Sequence, residues 1–477
     1  MRLDELVGVV GSSQVVGDGS VEVSDLAYDS RRVGPGTLFF CVPGEKVDGH
    51  EFAARAVGAG AAGLVVEREL DLEVAQVVVA DARAAMAPLA ARFFGNPTEE
   101  LKVAGITGTN GKTTTAFLLQ EILESAGMSS GLLGTVKQVV AGVEEEVERT
   151  TPEAIDLQRT FRRMVDGGDV ACAMEVSSHA LVLHRADAID FDAALFTNLT
   201  QDHLDFHADM EDYFRSKRLL FEIGPGTAIV NVDDPYGRRL AEEFECVTFS
   251  PTGGDADLRA GDVGLTARGS EFTIDPPGIA VETGLPGHFN VANALGAFAA
   301  AIALGVDSAT AAAALSKASP PPGRFEPIDE GQPFSVLVDY AHTPDSLENV
   351  LRAARQLGKG RVIAVFGAGG DRDRGKRPQM GRAGAELSDL AIVTSDNPRS
   401  ENPAAIVAEV AAGAADGRGV ETEVDRRAAI ALALSRAEPG DTVVIAGKGH
   451  EQGQEFEQGR KLPFDDRRVA REELRRL

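Results

Sequence analysis

An apolar strand that runs directly into a glycine loop and then a helix restricts a chain to few folds, and Val103-Ala-Gly-Ile-Thr-Gly-Thr-Asn-Gly-Lys-Thr-Thr-Thr115 is such a unit. Gly108 and Gly111 let the backbone turn and approach an anion closely. The amides of the loop and the N-terminus of a helix predicted from near Thr113 then face that anion. Lys112 adds a point charge and Thr113 a hydroxyl suited to Mg²⁺, so the stretch reads as a phosphate loop for a nucleoside triphosphate. Its candidate binding residues are Gly108, Thr109, Asn110, Gly111, Lys112, Thr113 and Thr114. The general pattern has four residues between its glycines. With Ile106 in that window, the match is to a shorter form, Gly-x-x-Gly-Lys-Thr after a strand. A glycine-rich turn without a ligand is the plainer alternative.

The chain has 477 residues, a length that corresponds to roughly three domains. With 43% hydrophobic but only 5% aromatic residues and no Trp, it points to an α/β protein of small-residue helices on parallel sheets. A formal charge of −27 argues against a nucleic-acid or membrane-surface partner, which would demand a basic face. An anionic substrate must then be held locally by Arg, Lys, amides and metal. Cys41, Cys172 and Cys246 are far apart and lack metal-ligand spacing, so neither a disulfide framework nor a zinc site is expected. The first residues carry no signal-peptide pattern, and the longest apolar run, Ala294 to Val306, is too short to span a bilayer. A cytoplasmic protein without membrane insertion is expected.

Residues 1–99 read as a small α/β unit, with strands at Thr37 to Val42 and Ala61 to Val66 and a helix at Phe52 to Ala59. Ser30, after Asp29, could bind a ligand or simply belong to a local cap. Asn96-Pro97-Thr98 marks a joint, after which residues 100–323 carry the phosphate loop. Thr151 reads as a helix N-cap with Pro152 at the first helical position. Glu175 ends an apolar strand, where ligands of nucleotide-binding sheets gather, and so is a Mg²⁺ candidate. Asn198-Leu-Thr-Gln-Asp-His-Leu-Asp-Phe-His207 is dense in groups that bind metals or move protons. Within it His203 could ligate a metal or cap the next helix. Lys217, on a predicted helix Tyr213 to Phe221, reads by pattern as a solvated lysine. Asn290 could be the N-cap of an Ala-rich helix, whereas Asn293 inside it could read an adenine edge.

Pro320-Pro-Pro-Gly-Arg-Phe325 is a stiff linker into residues 324–477. There, Val336 to His342, Arg361 to Phe366, Leu390 to Thr394 and Thr442 to Ala446 are continuous apolar runs, expected of parallel strands covered on both faces. Each runs into a polar loop: Asp339 and His342, Gly367-Ala-Gly-Gly-Asp-Arg372, Asp396-Asn-Pro-Arg399 and Gly447-Lys-Gly-His-Glu451. Such loops at strand ends define one site of a doubly wound unit. Asn402-Pro403 looks like a helix start.

These motifs, in this order and number, resemble the Mur ligases of bacterial peptidoglycan synthesis over nearly the whole chain. The resemblance implies ATP-dependent amide formation in three parts: residues 1–99 for a UDP-sugar peptide, 100–323 for ATP, and 324–477 for the incoming amino acid. It implies that Ser30, His50, Thr150, Thr151, Ser177 and Arg185 contact UDP-MurNAc-L-Ala-D-Glu. Asn290 and Asn293 should face adenine, with Arg324, Asp339 and His342 near ribose and phosphates. Lys217 matches a lysine that the family carbamylates. Thr113, Glu175, His203 and that carbamate would hold Mg²⁺, and Lys112, Glu175, His203 and Lys217 would be the catalytic set. Asp396-Asn397-Pro398-Arg399 is the pattern associated with meso-diaminopimelate rather than lysine, since an arginine fork can grip the extra carboxylate. Arg372 and Arg399 would supply that grip, and Gly447 and Glu451 would receive the distal ammonium. Leu183 departs from the Gln common in the family before His184-Arg185. A monomer is expected. Alternatives are a lysine-adding or dipeptide-adding member, a folylpolyglutamate synthetase, and a nucleotide-binding regulator without turnover.

Overall fold

The computed structural model describes all residues except 12, 45, 46, 148, 205, 267 and 415–418. Asp205, which falls inside the Asn198 to His207 segment quoted above, lies outside the described residues. The chain divides into two compact units. One comprises 1–107, 127–195 and 214–228, and the other 108–126, 196–213 and 229–477.

In the first unit, a five-stranded sheet places Gln14–Val16, Ala75–Val78, Gly63–Val66, Thr37–Phe40 and Asp25–Ala27 side by side. The last four pair in parallel, and Gln14–Val16 joins antiparallel. Alternate residues of one strand feed opposite faces. Leu38 and Phe40 pack with the helix Ala82–Phe93, while Phe39 packs with the helix Ala53–Gly58. Burial on both faces is why these strands read as unbroken apolar runs. The expected helix at 52–59 is shorter because Gly49–Phe52 forms a 3₁₀ turn capped by Asp48. The same unit holds Lys102–Thr107 paired in parallel with Ala171–Glu175, which pairs in parallel with Ser130–Leu133. Strand Lys102–Thr107 delivers the chain to the phosphate loop.

In the second unit, Cys246–Ser250, Leu258–Thr266, Gly269–Asp275 and Ile279–Thr283 are successive neighbours, the last three antiparallel. A six-stranded sheet follows in the order Glu326–Pro327, Ser335–Asp339, Thr442–Ala446, Val362–Phe366, Leu390–Val393, Val420–Thr422. All pairs are parallel except the one made by Glu326–Pro327. Leu337, Ala364 and Val444 face one core with helices Pro344–Gln356, Lys376–Leu387 and Pro403–Ala412, while Val336, Ile363 and Val443 face another with Arg426–Arg436 and Asp466–Leu474. The unit is therefore doubly wound, as the apolar runs predicted. Asn402 caps Pro403–Ala412 by accepting from the amides of Ala404 and Ala405, also as predicted. Among the described residues no helix is long and apolar enough to cross a membrane.

Candidate functional site

The phosphate loop is a fixed cradle. Gly108 and Gly111 have φ of +147° and +90°, and the helix Lys112–Ser125 begins at Lys112, one residue before the predicted start. The loop is held from behind by the segment after strand Ala193–Phe196. The Asn198 carbonyl accepts from the Thr109 amide at 2.9 Å, and Asn198 Oδ1 accepts from the Asn110 amide at 2.9 Å. Thr197 Oγ1 donates to the Asn110 carbonyl at 2.7 Å, and Asn198 Nδ2 donates to the same oxygen at 3.0 Å. Lys112 Nζ donates to the carbonyls of Gly108 and Thr109 at 2.8 and 2.9 Å, which keeps its charge over the loop. Thr113 and Thr114 lie buried in the first helical turn.

Asn290 and Asn293 stand beside this loop on the helix His288–Ala303, whose N-cap is Gly287. Asn290 is thus not the cap. Its Nδ2 donates to the Pro286 carbonyl at 2.8 Å, and its Oδ1 accepts from Asn293 Nδ2 at 3.1 Å. A Cβ on Gly111 would lie 2.3 Å from Asn293 Oδ1, so glycine there is what lets helix and loop approach. The Asn110 side chain reaches Asp345 Oδ2 at 3.2 Å, where Thr200 Oγ1 also donates at 2.7 Å. His203, in the same segment, has φ +53° and lies 3.5 Å from Asp202 through Nε2.

In the first unit, Glu175 is 1% exposed, and its carboxylate accepts from the Thr135 amide at 2.7 Å and the Thr135 hydroxyl at 3.1 Å. A Cβ on Gly134 would lie 2.6 Å from Glu175 Oε1, so the carboxylate sits in a cradle shaped for it. Thr150 Oγ1 is 3.0 Å from Thr135 Oγ1. Thr151 does not cap a helix, because its hydroxyl donates to the Glu175 carbonyl at 2.9 Å and accepts from the Ser177 amide at 3.1 Å; the next helix, Ala154–Asp166, starts three residues later with Glu153 as N-cap. Ser177 caps Ser178–Val182, and Arg185 donates to the Thr151 carbonyl at 3.1 Å and pairs with Glu153 at 2.9 Å. Glu175, Thr150, Thr151, Ser177 and Arg185 therefore form one polar cluster at the carboxyl end of strand Ala171–Glu175.

Ser30 and His50 belong to local turns. Ser30 begins a 3₁₀ turn capped by Asp29. Both ring nitrogens of buried His50 are engaged, Nδ1 with Asp48 at 2.6 Å and Nε2 accepting from the Glu67 amide at 3.0 Å, which fixes the proton on Nδ1. The His50 amide and ring and Arg68 hold the Asp48 carboxyl well below the usual carboxylate range. Lys217, expected to be solvated, is 1% exposed on the helix Met210–Glu222. Among the described residues no three His, Cys, Asp or Glu side chains form a metal-holding group; the expected donor set differs by including a hydroxyl and a lysine carbamate.

The loops at the ends of the doubly wound strands do converge. Asp339 accepts from the Phe325 and Ala341 amides, each at 2.7 Å, and burial raises its carboxyl above the ordinary value. The Arg324 guanidinium stacks 4.5 Å from the Tyr340 ring centroid, and the His342 and His450 rings lie 4.7 and 5.1 Å from it. Asn397 Nδ2 donates to Glu451 Oε2 at 2.9 Å, bringing the Asp396-Asn397-Pro398-Arg399 and Gly447 to Glu451 loops together. Arg399 donates through Nε to Glu455 at 3.1 Å and through Nη1 to the Gly370 carbonyl at 2.7 Å. Its Nη2 makes no hydrogen bond among the described residues. Arg372 is exposed, with Nη1 on the Asp371 carbonyl. Sequence reasoning gave no role to Thr135, Thr197, Asn198, Asp345, Arg426 or Lys448. Asn198 and Lys448 stood inside quoted motifs, whereas Thr135, Asp345 and Arg426 carried no local signal.

A phosphate loop at a sheet end and a second doubly wound sheet with a polar rim define a nucleotide-dependent α/β protein. Three family models match successive stretches: the Mur ligase family, catalytic domain over residues 22–94, the Mur ligase middle domain over 106–301, and the Mur ligase, glutamate ligase domain over 323–449. The chain belongs to the Mur ligase family. It is 49% identical over 476 residues, 96% of this chain and 94% of the relative, to the UDP-N-acetylmuramoyl-L-alanyl-D-glutamate--2,6-diaminopimelate ligase of Streptomyces coelicolor. It is 47% identical to the protein of the same name from Geobacillus thermodenitrificans, covering 99% of each. A solved structure of a ligase so named superimposes with a TM-score of 0.73 at 30% identity, covering 100% of this chain and 99% of that one.

Proposed function

We propose that this chain is an ATP-dependent ligase that joins meso-2,6-diaminopimelate to UDP-N-acetylmuramoyl-L-alanyl-D-glutamate. The observation that carries this reading is full-length identity of 49% and 47% to two ligases of that name, and the anchored phosphate loop supports it. The γ-phosphoryl group of ATP passes to the γ-carboxylate of the D-glutamate, giving an acyl phosphate and ADP. The amine of diaminopimelate then attacks the acyl carbon, forming the amide and releasing phosphate.

The protein's part is mainly positioning and electrostatics. Gly108 to Thr114 cradle the phosphates, Lys112 places its charge over them, and Asn290 and Asn293 read adenine, with Arg324, Asp339 and His342 toward ribose and phosphates. Ser30, His50, Thr150, Thr151, Ser177 and Arg185 hold the nucleotide-sugar peptide. Arg372 and Arg399 take the far carboxylate of diaminopimelate, and Gly447 and Glu451 its far ammonium, beside Asp396, Asn397 and Pro398. Thr113, Glu175, His203 and a carbamate on Lys217 would hold Mg²⁺, which when bound would offset charge on the phosphoryl oxygens. The division into residues 1–99, 100–323 and 324–477 accords with the three matched stretches, and we assign a cytoplasmic monomer.

Phosphate release from ATP with the UDP-sugar dipeptide, compared across meso-diaminopimelate, L-lysine and no amino acid, tests the reading. Release and tripeptide product with diaminopimelate alone is expected. Equal use of lysine would break the specificity assignment, and no release with either would overturn the ligase.

A further inference from the structure

We infer that Lys448 is a positioning residue that sets which far end of an amino-acid substrate the site accepts, acting through Glu451; this rests on the reading that Glu451 and Arg399 receive that end. Lys448 is fully buried, at 0% exposure, between two strand-end loops. An ammonium group offers only donors, so the oxygen of the Asn397 amide must face it, and Nζ to Oδ1 is 2.8 Å. The Glu455 amide donates to the same Oδ1 at 3.0 Å, which fixes the amide plane and turns Nδ2 toward Glu451. Glu451 Oε2 takes both Asn397 Nδ2 at 2.9 Å and Lys448 Nζ at 2.8 Å. Asp396 Oδ1 lies 3.7 Å from the same ammonium. The neighbouring Arg426 cancels its charge against buried Asp466 at 2.6 Å.

Lys448 thus neutralises the inner half of a two-carboxylate cluster. Glu451 Oε1, which makes no hydrogen bond among the described residues, stays available for one ammonium, and the open Nη2 of Arg399 for one carboxylate. That balance of one negative and one positive contact fits the zwitterionic far end of 2,6-diaminopimelate. Without the ammonium of Lys448, Asp396 and Glu451 lose the cation between them, leaving Arg426, whose charge is already matched by Asp466. The site then repels a substrate carboxylate and favours a bare ammonium such as that of lysine.

The test is steady-state turnover of the full chain with meso-diaminopimelate and with L-lysine, for wild type, Lys448→Met, Glu451→Gln and the double variant. In Lys448→Met the ratio of kcat/KM for diaminopimelate over lysine should fall by about tenfold or more, with KM for ATP and for the UDP-sugar dipeptide within about twofold of wild type. The double variant, which removes cation and carboxylate charge together, should show the same ratio as Glu451→Gln within about threefold. Equal loss of both amino acids in Lys448→Met, or an unchanged ratio, overturns the inference while leaving the ligase intact. Should Lys448→Met fail to fold, a further drop in the ratio from Glu451→Gln to the double variant does so instead. A wild-type chain that turns over neither amino acid overturns the ligase reading and this inference with it.

Discussion

Replacing Gly108 by alanine isolates the geometry of the phosphate loop. A Cβ there would lie 1.9 Å from Thr197 Oγ1 and 3.1 Å from the Asn198 carbonyl, against a backbone φ of +147°. Thr197 must rotate away, and its hydrogen bond to the Asn110 carbonyl at 2.7 Å is lost, although Asn198 Nδ2 still reaches that oxygen at 3.0 Å. The lost bond costs about 1 kcal/mol and the backbone strain about 1–2 kcal/mol, with residual crowding bringing the total to about 2–4 kcal/mol. If the cost falls on the ATP-binding conformation, Kd for ATP rises by about 30- to 700-fold. Gly127→Ala is the control, because φ is +78° there and nothing lies within 4 Å of the added carbon. It should cost about 1 kcal/mol of stability and leave ATP binding unchanged. Calorimetric titration with ATP and thermal melting of both variants decide the matter. Gly108→Ala binding ATP within about threefold of wild type would refute the claim that this loop geometry holds the triphosphate.

Three further outcomes are expected. The side chains of Arg426 and Asp466 are both 0% exposed, and Arg426 also donates to the carbonyls of Ala446 at 2.9 Å and Ser395 at 3.4 Å, so Arg426→Met should cost about 3–5 kcal/mol in urea unfolding and Arg426→Met/Asp466→Leu should recover most of it. A loss below about 1 kcal/mol in the single variant would contradict the burial argument. Burial, reinforced by Arg324, holds the His450 imidazole down at about 4, below its ordinary value of 6.5. Its contribution is complete above pH 6.5 and is lost as pH falls toward 4, so between pH 7 and 4.5 wild type should lose up to about 3 kcal/mol more than His450→Gln; parallel curves would contradict this. Lys217→Ala should abolish turnover without unfolding the chain, and added short-chain carboxylates should restore part of it, whereas full activity without them would exclude the carbamate.

Much of this was legible because it depends on local pattern. The apolar runs at Val336 to His342 and Thr442 to Ala446 predicted parallel strands buried on both faces, the first ending at Asp339, and Asn402-Pro403 predicted a helix start. What misled depended on tertiary partners. Thr151 has a capping residue's chemistry, but its hydroxyl is taken by the Glu175 carbonyl and Ser177 amide, so the helix begins later. Lys217 is the exception, because the reading of it as solvated conflicts with the local pattern itself. The helix Met210–Glu222 buries Tyr213, Phe214, Leu220 and Phe221, and position 217 lies on the same stripe at three- and four-residue spacings. A lysine inside an apolar stripe is a buried group awaiting an explanation, and composition of the helix alone hides it.

The short run Gly367-Ala-Gly-Gly370 shows how one sequence can carry a different physical meaning from the one its letters invite. As a motif it is faint support for a dinucleotide. The strand before it, Val362–Phe366, lies between Thr442–Ala446 and Leu390–Val393, so its loop separates the two loops that must meet. A Cβ on Gly367 would lie 2.2 Å from the Thr394 carbonyl, and one on Gly370 would lie 1.9 Å from the Pro398 carbonyl. The Gly370 amide meanwhile donates to the Asn397 carbonyl at 2.9 Å. Side chains at these positions would push Asp396 to Arg399 outward, away from Lys448 and Glu451. The glycines therefore act by leaving room: they let loops from two non-adjacent strands close over a third and share the hydrogen bonds of Asn397. That requirement is set by strand order in the sheet, which no window of sequence around residue 367 contains.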